Sequence, residues 1–307
     1  MFKQPIPDMG VRFLSFGELL WETAGEKRRP GGLSFATAAH ACRLGGAAAL
    51  YGRVGNDPDG DRILSLAAAY GIETSFVQRD RAHATGEATL GPAREHQGII
   101  GYTVPRGAAA FHVHADHEIM ERLAAMRFDA LCFQAMSVMF PRPEETLACL
   151  LESIDVAEVF CDFNLRGRLF NRKAFECSLH HATIARCNAR ELTTISTILF
   201  GKLMSPKQFA DAISRKFVVP LVCVRHGCES CSVYHAGEFE QVDTPADAPG
   251  DASGGGDAFN AAFLSLFCAG KPPSDSARAA NRVARYAAQH TDGIPEYPPG
   301  IKSLLRA

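Results

Sequence analysis

The feature that most constrains the fold is a repeated alternation of short β-like runs with helical stretches across 307 residues. Residues 11–16, 48–54, 130–134, 156–163, 183–187 and 221–225 are strand-length runs rich in apolar side chains, several of them apolar on both faces. Helical stretches lie between them. Ser34 is placed to cap one that runs to Leu44 and stops at Gly45, and Asp59 to cap one that ends before Gly71. Strands buried on both faces and joined by helices predict a mostly parallel sheet between two helix layers, a three-layer α/β/α sandwich. No internal repeat, low-complexity tract or interdomain linker interrupts the chain, so residues 1–307 are expected to form one α/β domain.

Two segments, about 18–31 and 84–113, break the rhythm. They are polar or alternating and rich in turn residues, the second carrying Gly86, Gly91, Gly98, Gly101 and Gly107. Small antiparallel strands are expected there, forming a β-lid over the edge of the main sheet.

Charge and cysteine usage exclude several function classes. Lys and Arg number 32 against 34 Asp and Glu, a formal net charge of -2, so no global field draws the chain to nucleic acid or an anionic membrane. Residues 1–10 lack a basic segment followed by an apolar run, and no stretch of about 18 uninterrupted apolar residues occurs; a cytoplasmic protein is expected. The ten cysteines are scattered, mostly within apolar runs such as those holding Cys132, Cys161 and Cys223, and are expected to be buried free thiols. Cys228 and Cys231 form a Cys-x-x-Cys without a second pair, and the eleven histidines lack metal-ligand spacing.

The chemistry is carried by Asp251-Ala252-Ser253-Gly254-Gly255-Gly256-Asp257, followed at once by an apolar helical run over 258–268. Glycines at a helix start let the backbone approach a phosphate, and the unpaired N–H groups with the helix dipole favour negative charge. Asp257 would stand in the first turn beside that anion hole, where it can take a proton from an attacking hydroxyl. The alternative is a plain glycine-rich turn with Asp257 as a helix cap. Neither a Walker-type loop nor a Gly-x-Gly-x-x-Gly after the first strand is present.

This segment resembles the C-terminal signature of the ribokinase-like (PfkB) carbohydrate kinases, close to Asp-Thr-x-Gly-Ala-Gly-Asp-Ala-Phe. Gly31-Gly32 through Leu44-Gly45, then Gly52-Arg53-Val54-Gly55-Asn56-Asp57 with Gly60, is similar to the family's N-terminal signature. Phe16-Gly17-Glu18-Leu19-Leu20-Trp21 and Thr85-Gly86 resemble the fructokinase-like branch, and Asp162-Phe163-Asn164-Leu165-Arg166 a stretch of fructokinases and 2-keto-3-deoxygluconate kinases. The resemblance implies a ribokinase-like fold and an ATP-dependent transfer to a primary alcohol of a small carbohydrate. It places Asp257, Gly254, Gly255, Gly256 and Arg166 at the chemistry, and Glu22, Gly31, Gly32, Ala36 and Asn164 at the sugar. Arg166 could clamp an acidic or phosphate group as a planar fork, or serve only in a surface salt bridge. For the nucleotide the resemblance implies Asn188, Glu191, Arg225, Gly227 and Asn281, with Asn188 and Glu191 reaching Mg²⁺ through water. It also allows a K⁺ ion beside Asp251 and a homodimer formed through the lid.

The chain departs from the family pattern at working positions. Ala36 stands where the family has an asparagine near the sugar, and Glu22 replaces the usual Asp. Arg225-His226-Gly227-Cys228-Glu229-Ser230 lacks the usual Thr and second Gly of the nucleotide turn, while Ala252 and Gly255 replace Thr and Ala. A kinase of altered specificity is the expected function. The alternatives are a 2-keto-3-deoxygluconate or nucleoside kinase, or a non-catalytic sugar- or nucleotide-binding protein on the same fold.

Overall fold

The computed structural model describes residues 10–93, 100–167, 170–244, 255–290 and 293–305. The chain opens with β1 (Arg12–Phe16), β2 (Leu20–Ala24), β3 (Lys27–Gly31), α1 (Leu33–Arg43), β4 (Ala47–Tyr51), β5 (Arg53–Gly55) and α2 (Pro58–Ala69). Next come β6 (Gln78–Asp80), β7 (Gly86–Ala93), β8 (Ile100–Thr103), α3 (His117–Ala124), β9 (Arg127–Gln134), α4 (Pro141–Ser153) and β10 (Asp155–Asp162). The second half runs α5 (Arg172–His181), β11 (Ile184–Asn188), α6 (Ala189–Phe200), α7 (Pro206–Phe217), β12 (Leu221–His226), β13 (Ser230–His235) and β14 (Glu238–Asp243). It closes on α8 (Gly256–Cys268), α9 (Pro273–Ala288) and the short α10 (Pro299–Lys302).

Eight strands make the main sheet in the order β14-β13-β12-β11-β10-β9-β1-β4, parallel except where β13 pairs antiparallel with β12 and β14. Strand alternation sorts the side chains into two cores. Phe13, Leu50, Cys132, Phe160, Ile184 and Cys223 face α1, α8 and α9. On the opposite face Leu14, Leu131 and Phe133 pack with α3 and α4, and Ala185 and Val222 with α5 to α7. Helix α8 is buried at every position from Ala258 to Ser265, which is why its sequence is apolar all round. The expected three-layer sandwich is present.

The smaller sheet, β3-β2-β7-β8, comes from the two segments that break the rhythm. Its hairpins β2–β3 and β7–β8 are antiparallel as expected, but β2 and β7 run parallel, and the second segment turns into a 3₁₀ helix at Ala109–His112 rather than continuing as strand. Leu20, Ala88, Tyr102 and Phe111 close a core between this sheet and Met136, just beyond the end of β9.

Three local expectations are corrected. The cap of α1 is Gly32, because the Ser34 hydroxyl donates instead to the Glu18 carbonyl. The cap of α2 is Asp57, whose carboxylate accepts from Gly60 N at 2.8 Å, while Asp59 is drawn off into an ion pair with Arg28. Residues 48–54 are not one strand: the chain breaks at Gly52, and β5 leaves the main sheet to pair with β6. All ten cysteines are free thiols; Cys132, Cys161, Cys187, Cys223, Cys228 and Cys231 are buried as expected, but Cys42, Cys177 and Cys268 are only partly buried and Cys149 is exposed.

Candidate active site

The strand order changes direction between β1 and β9, since β4 lies beyond β1 on one side and β9 to β12 on the other. Crevices at such a point, outside the carboxyl ends of parallel strands, are where open α/β sheets bind ligands. The chain leaves β1 at Gly17-Glu18, β9 at Gln134, β10 at Asp162 and β11 at Asn188. Asn164, Arg166, Asn188 and Glu191 stand on or just after these ends.

Asp257 is the second residue of α8, whose N-cap is Gly255 with no side-chain cap bond. The carboxylate is therefore not spent on capping the helix. It keeps partial exposure toward the cleft, but the atoms packed around it strip most of its hydration. That burial, followed by the field of Asp162, pushes its pKa up to about 7; Arg166 pulls the other way, Glu22 adds to the rise and Arg186 offsets it. A carboxyl that titrates near neutrality can hold a proton and release it again. Gly254 and Asp251 lie outside the described residues, so the expected anion hole is described from Gly255 onward.

Beneath the start of α8 three charged side chains stand on the α8 face of adjacent strands. Asp162 accepts from Arg186 Nη1 at 3.0 and 2.8 Å and from Asn260 Nδ2 at 2.9 Å. Arg186 also donates from Nη2 to Asn188 Oδ1 at 2.8 Å. Burial works against the Arg186 charge, but the fields of Asp162 and Glu191 outweigh it and hold its pKa above the ordinary guanidinium value. Arg225, on β12, lies over the Phe259 ring with its guanidinium carbon 4.7 Å from the centroid. Arg186 and Asn260 were not among the residues singled out from sequence. Their signal is a charge inside the apolar run 183–187 and an amide inside 258–268.

Asn188 and Glu191 form a capping box at the start of α6. Glu191 accepts from Asn188 N at 2.8 Å and from Leu165 N at 2.9 Å, so both of its oxygens are engaged by backbone while the side chain is buried. Through Leu165 it fixes the Asn164–Arg166 segment against α6. Burial, and next Asp162, raise its pKa.

The other side of the crevice is acidic. Glu18 is buried, and burial pushes its pKa up to about 6 despite hydrogen bonds donated by Gln134 and Ser137. Gln134 in turn accepts from Asn164 Nδ2 at 2.7 Å, so Asn164 is oriented through Gln134 by Glu18. Asn164 takes a φ of 39°, a left-handed conformation that asparagine tolerates better than most residues. Glu22 is 8% exposed and pairs with Arg29 at 3.3 Å. A β-carbon at Gly31 would overlap the Glu22 side chain, and one at Gly32 (φ 86°) would overlap the Glu18 carbonyl, which is why this pair must be glycine. Ala36 is the only residue from 31 to 41 that is not fully buried. Burial raises the Tyr102 hydroxyl's pKa, and Glu22 and Glu18 raise it further while Arg166 lowers it. Arg166 itself makes no salt bridge among the described residues.

The remaining nucleotide candidates among the described residues are Gly227 and Asn281. Gly227, with φ 65°, turns the chain from β12 into β13. Asn281, fully buried in α9, donates to the Thr244 hydroxyl at 3.1 Å, and its Oδ1 has no partner among the described residues.

Charge of both signs is thus sorted within one crevice, an arrangement suited to moving a phosphoryl group onto a neutral acceptor. The chain belongs to the pfkB family of carbohydrate kinases, whose family model matches residues 9–298. Among curated relatives, a fructokinase of Salmonella typhimurium is 26% identical over 269 residues, covering 84% of this chain and 83% of the relative. A 2-dehydro-3-deoxygluconokinase of Escherichia coli K12 is 25% identical over 291 residues, covering 90% and 93%. The structure of a fructokinase from Xylella fastidiosa with bound ATP superposes with a TM-score of 0.80 at 19% identity over 96% of this chain and 98% of that one, which establishes the ribokinase-like fold. Among the described residues no helix is long and apolar enough to cross a membrane.

Proposed function

We propose that this chain transfers the γ-phosphoryl group of ATP to a primary alcohol of a small neutral sugar, with Asp257 as general base. The observation that carries this reading is the Asp257 carboxyl, tuned to about 7 at the start of α8, between the cationic ends of β11 and β12 and the Glu22 side of the crevice. The sugar hydroxyl gives its proton to Asp257 and attacks the γ-phosphorus in line, and the backbone N–H groups at the start of α8 stabilise the charge that gathers on the phosphoryl oxygens. Asn164, held by Gln134, has an oxygen left to accept from a sugar hydroxyl. Glu22 is an acceptor for a second.

Mg²⁺ fits this site only in an indirect role. Among the described residues no group of three or more His, Cys, Asp or Glu could hold a metal ion, and the oxygens of Asn188 and Glu191 already accept protein hydrogen bonds. These two residues would hold the ion through water, and the chemistry it would supply is neutralisation of negative charge on the nucleotide phosphates. Ten free thiols fit a reducing, cytoplasmic setting. The small sheet ends in the edge strands β3 and β8, and a second copy pairing there would cover them, giving the expected homodimer.

A sugar acid is the second reading, favoured by Arg166, whose guanidinium forms no salt bridge with a described carboxylate and so is open to one on a substrate. Coupled ADP release with fructose, 2-keto-3-deoxygluconate and a set of nucleosides tests both. Turnover with a neutral sugar supports the first reading and preference for the acid the second. No release with any acceptor would make the chain a binding protein.

A further inference from the structure

Among the described residues Arg225 is a buried cation without a counter-ion: it is 3% exposed, its Nε has no hydrogen-bond partner there, and its side chain donates only to the weak acceptor Cys228 Sγ at 3.5 Å. Burial, and next the neighbouring Arg186, lower its pKa to about 10, the reverse of the shift at Arg186. Asp162 cannot serve both arginines: its two oxygens accept from Arg186 and Asn260. Both Glu191 oxygens are held by backbone N–H groups. Among the described residues no carboxylate forms an ion pair with Arg225, and the one that pairs with Arg186 is already engaged.

Both guanidiniums reach the first turn of α8. A β-carbon at Gly256 would stand 3.6 Å from Arg186 Nη2 and 3.9 Å from Arg225 Nη1. The unpaired N–H groups and positive dipole end of a 13-residue helix converge on the same place. A guanidinium unpaired among the described residues, a helix start and a glycine without a side chain leave free donors at one point, beside Asp257. Lost hydration of a buried charge must be replaced, and the Phe259 face and a thiol replace little of it.

We propose that Arg225 is a phosphate-binding residue of this chain, its guanidinium taking the phosphoryl oxygens of the nucleotide from below while the start of α8 takes them from the side. Arg186, locked to Asp162 and Asn188, is a positioning residue that keeps Arg225 from folding back onto Asp162. The arginine that stands where the resemblance leads one to expect a threonine is then a replacement donor, and the altered nucleotide turn is a rebuilt site. This inference rests on the kinase reading for the identity of the ligand, but its charge argument concerns any phosphate.

Inorganic phosphate is the first probe, titrated against chloride at constant ionic strength. Phosphate is expected to raise the melting temperature of the parent, and Arg225→Met, which keeps a long side chain over Phe259, is expected to lose that rise. Calorimetric titration with ADP and Mg²⁺ should show affinity falling about 10²-fold in Arg225→Met, with part recovered in Arg225→Lys, which restores the charge without the fork. Should Arg225→Met fail to fold, Arg225→Lys alone is decisive: binding weakened several-fold supports the inference, and binding equal to the parent overturns it. Arg225→Met that binds ADP and phosphate as the parent does would reduce Arg225 to packing on Phe259, whether or not sugars are phosphorylated. Arg225-dependent phosphate binding with no phosphorylation of any sugar would instead sink the kinase reading and leave this site standing.

Discussion

At the ends of β11 and β12 the crevice is cationic, with Arg186 and Arg225 beneath the start of α8; beyond the end of β1 it is acidic, with Glu18 and, on β2, Glu22. The cationic side is built from guanidiniums and a helix terminus, groups that suit a polyphosphate. The acidic side offers carboxylates and the Asn164–Gln134 amide pair, groups that accept from and donate to hydroxyls. A polyphosphate is repelled from the second and a neutral polyol gains little from the first. On the proposed reading the difference would orient both ligands, with Asp257 between the two sides, its pKa raised to about 7 first by burial and then by Asp162.

The sharpest break of this comparison removes the group between the two sides. Asp257→Asn keeps the shape of the turn but cannot take the proton, and kcat should fall by roughly 10²-fold to 10⁴-fold with ADP affinity nearly unchanged. Turnover at the parent rate would remove Asp257 as the base. The pH profile sharpens the same point. A base must be deprotonated, so with a free-enzyme pKa of about 7 the value of kcat/KM should drop about tenfold per pH unit below that point and level off above it. The residual activity of Asp257→Asn should lack this limb; a limb that persists would belong to another group.

A smaller effect tests the acidic side through stability. The folded-state pKa of Glu18 is raised from 4.5 to about 6, so the folded protein holds this proton more tightly than the unfolded chain. The stability so gained is fully present below pH 4.5 and is lost as pH rises through about 6, leaving the buried carboxylate a cost of about 2 kcal/mol at neutral pH. Glu18→Gln does not titrate, and its amide oxygen can still accept from Gln134 and Ser137. Between pH 4.5 and 7.5 the stability of Glu18→Gln relative to the parent should therefore shift in the variant's favour by about 2 kcal/mol, measured by urea unfolding at both pH values. A difference that does not change with pH would mean that Glu18 is hydrated in the folded state and that the acidic side is weaker than its burial implies.

The two sides were not equally legible in the sequence. Strands β1, β10, β11 and β12 follow from apolar runs, and the Gly-rich start of α8 with Asp257 from composition alone, because burial and backbone approach impose strong residue preferences. Pairings over long sequence distances left weaker traces. Nothing local says that Asn260 reaches Asp162, 98 residues away, or that Gln134 bridges Glu18 and Asn164. Caps were misjudged where a side chain had a better tertiary partner, as Ser34 has in the Glu18 carbonyl; Pro58 at the first turn of α2 was the signal that Asp57, not Asp59, precedes the helix. The β13–β14 hairpin had no place in the sequence reading. Its marker is Ala236-Gly237, a two-residue connection with φ of 51° and 91°, and an alanine is an uncommon choice for such a turn.

The smallest effect concerns which sugar the acidic side accepts. Ala36 is the one incompletely buried position in the first part of α1, directly after the Gly31-Gly32 pair that lets Glu22 and the Glu18 carbonyl approach the helix start. Ala36→Asn adds a donor and an acceptor at a position where alanine offers neither. If the crevice holds a simple hexose and lacks only that contact, kcat/KM for the hexose should improve about 10-fold, the 1.4 kcal/mol of one net hydrogen bond. If the native substrate instead sets an apolar group against Ala36, the same amide loses its water without gaining a partner. The native reaction would then weaken by about 1–3 kcal/mol. The two outcomes have opposite signs, so kcat/KM for fructose and for the best substrate of the acceptor panel, measured on parent and variant, separates them. No change with either substrate would place residue 36 outside the sugar site and leave Glu22 and Asn164 as the residues that read the hydroxyls.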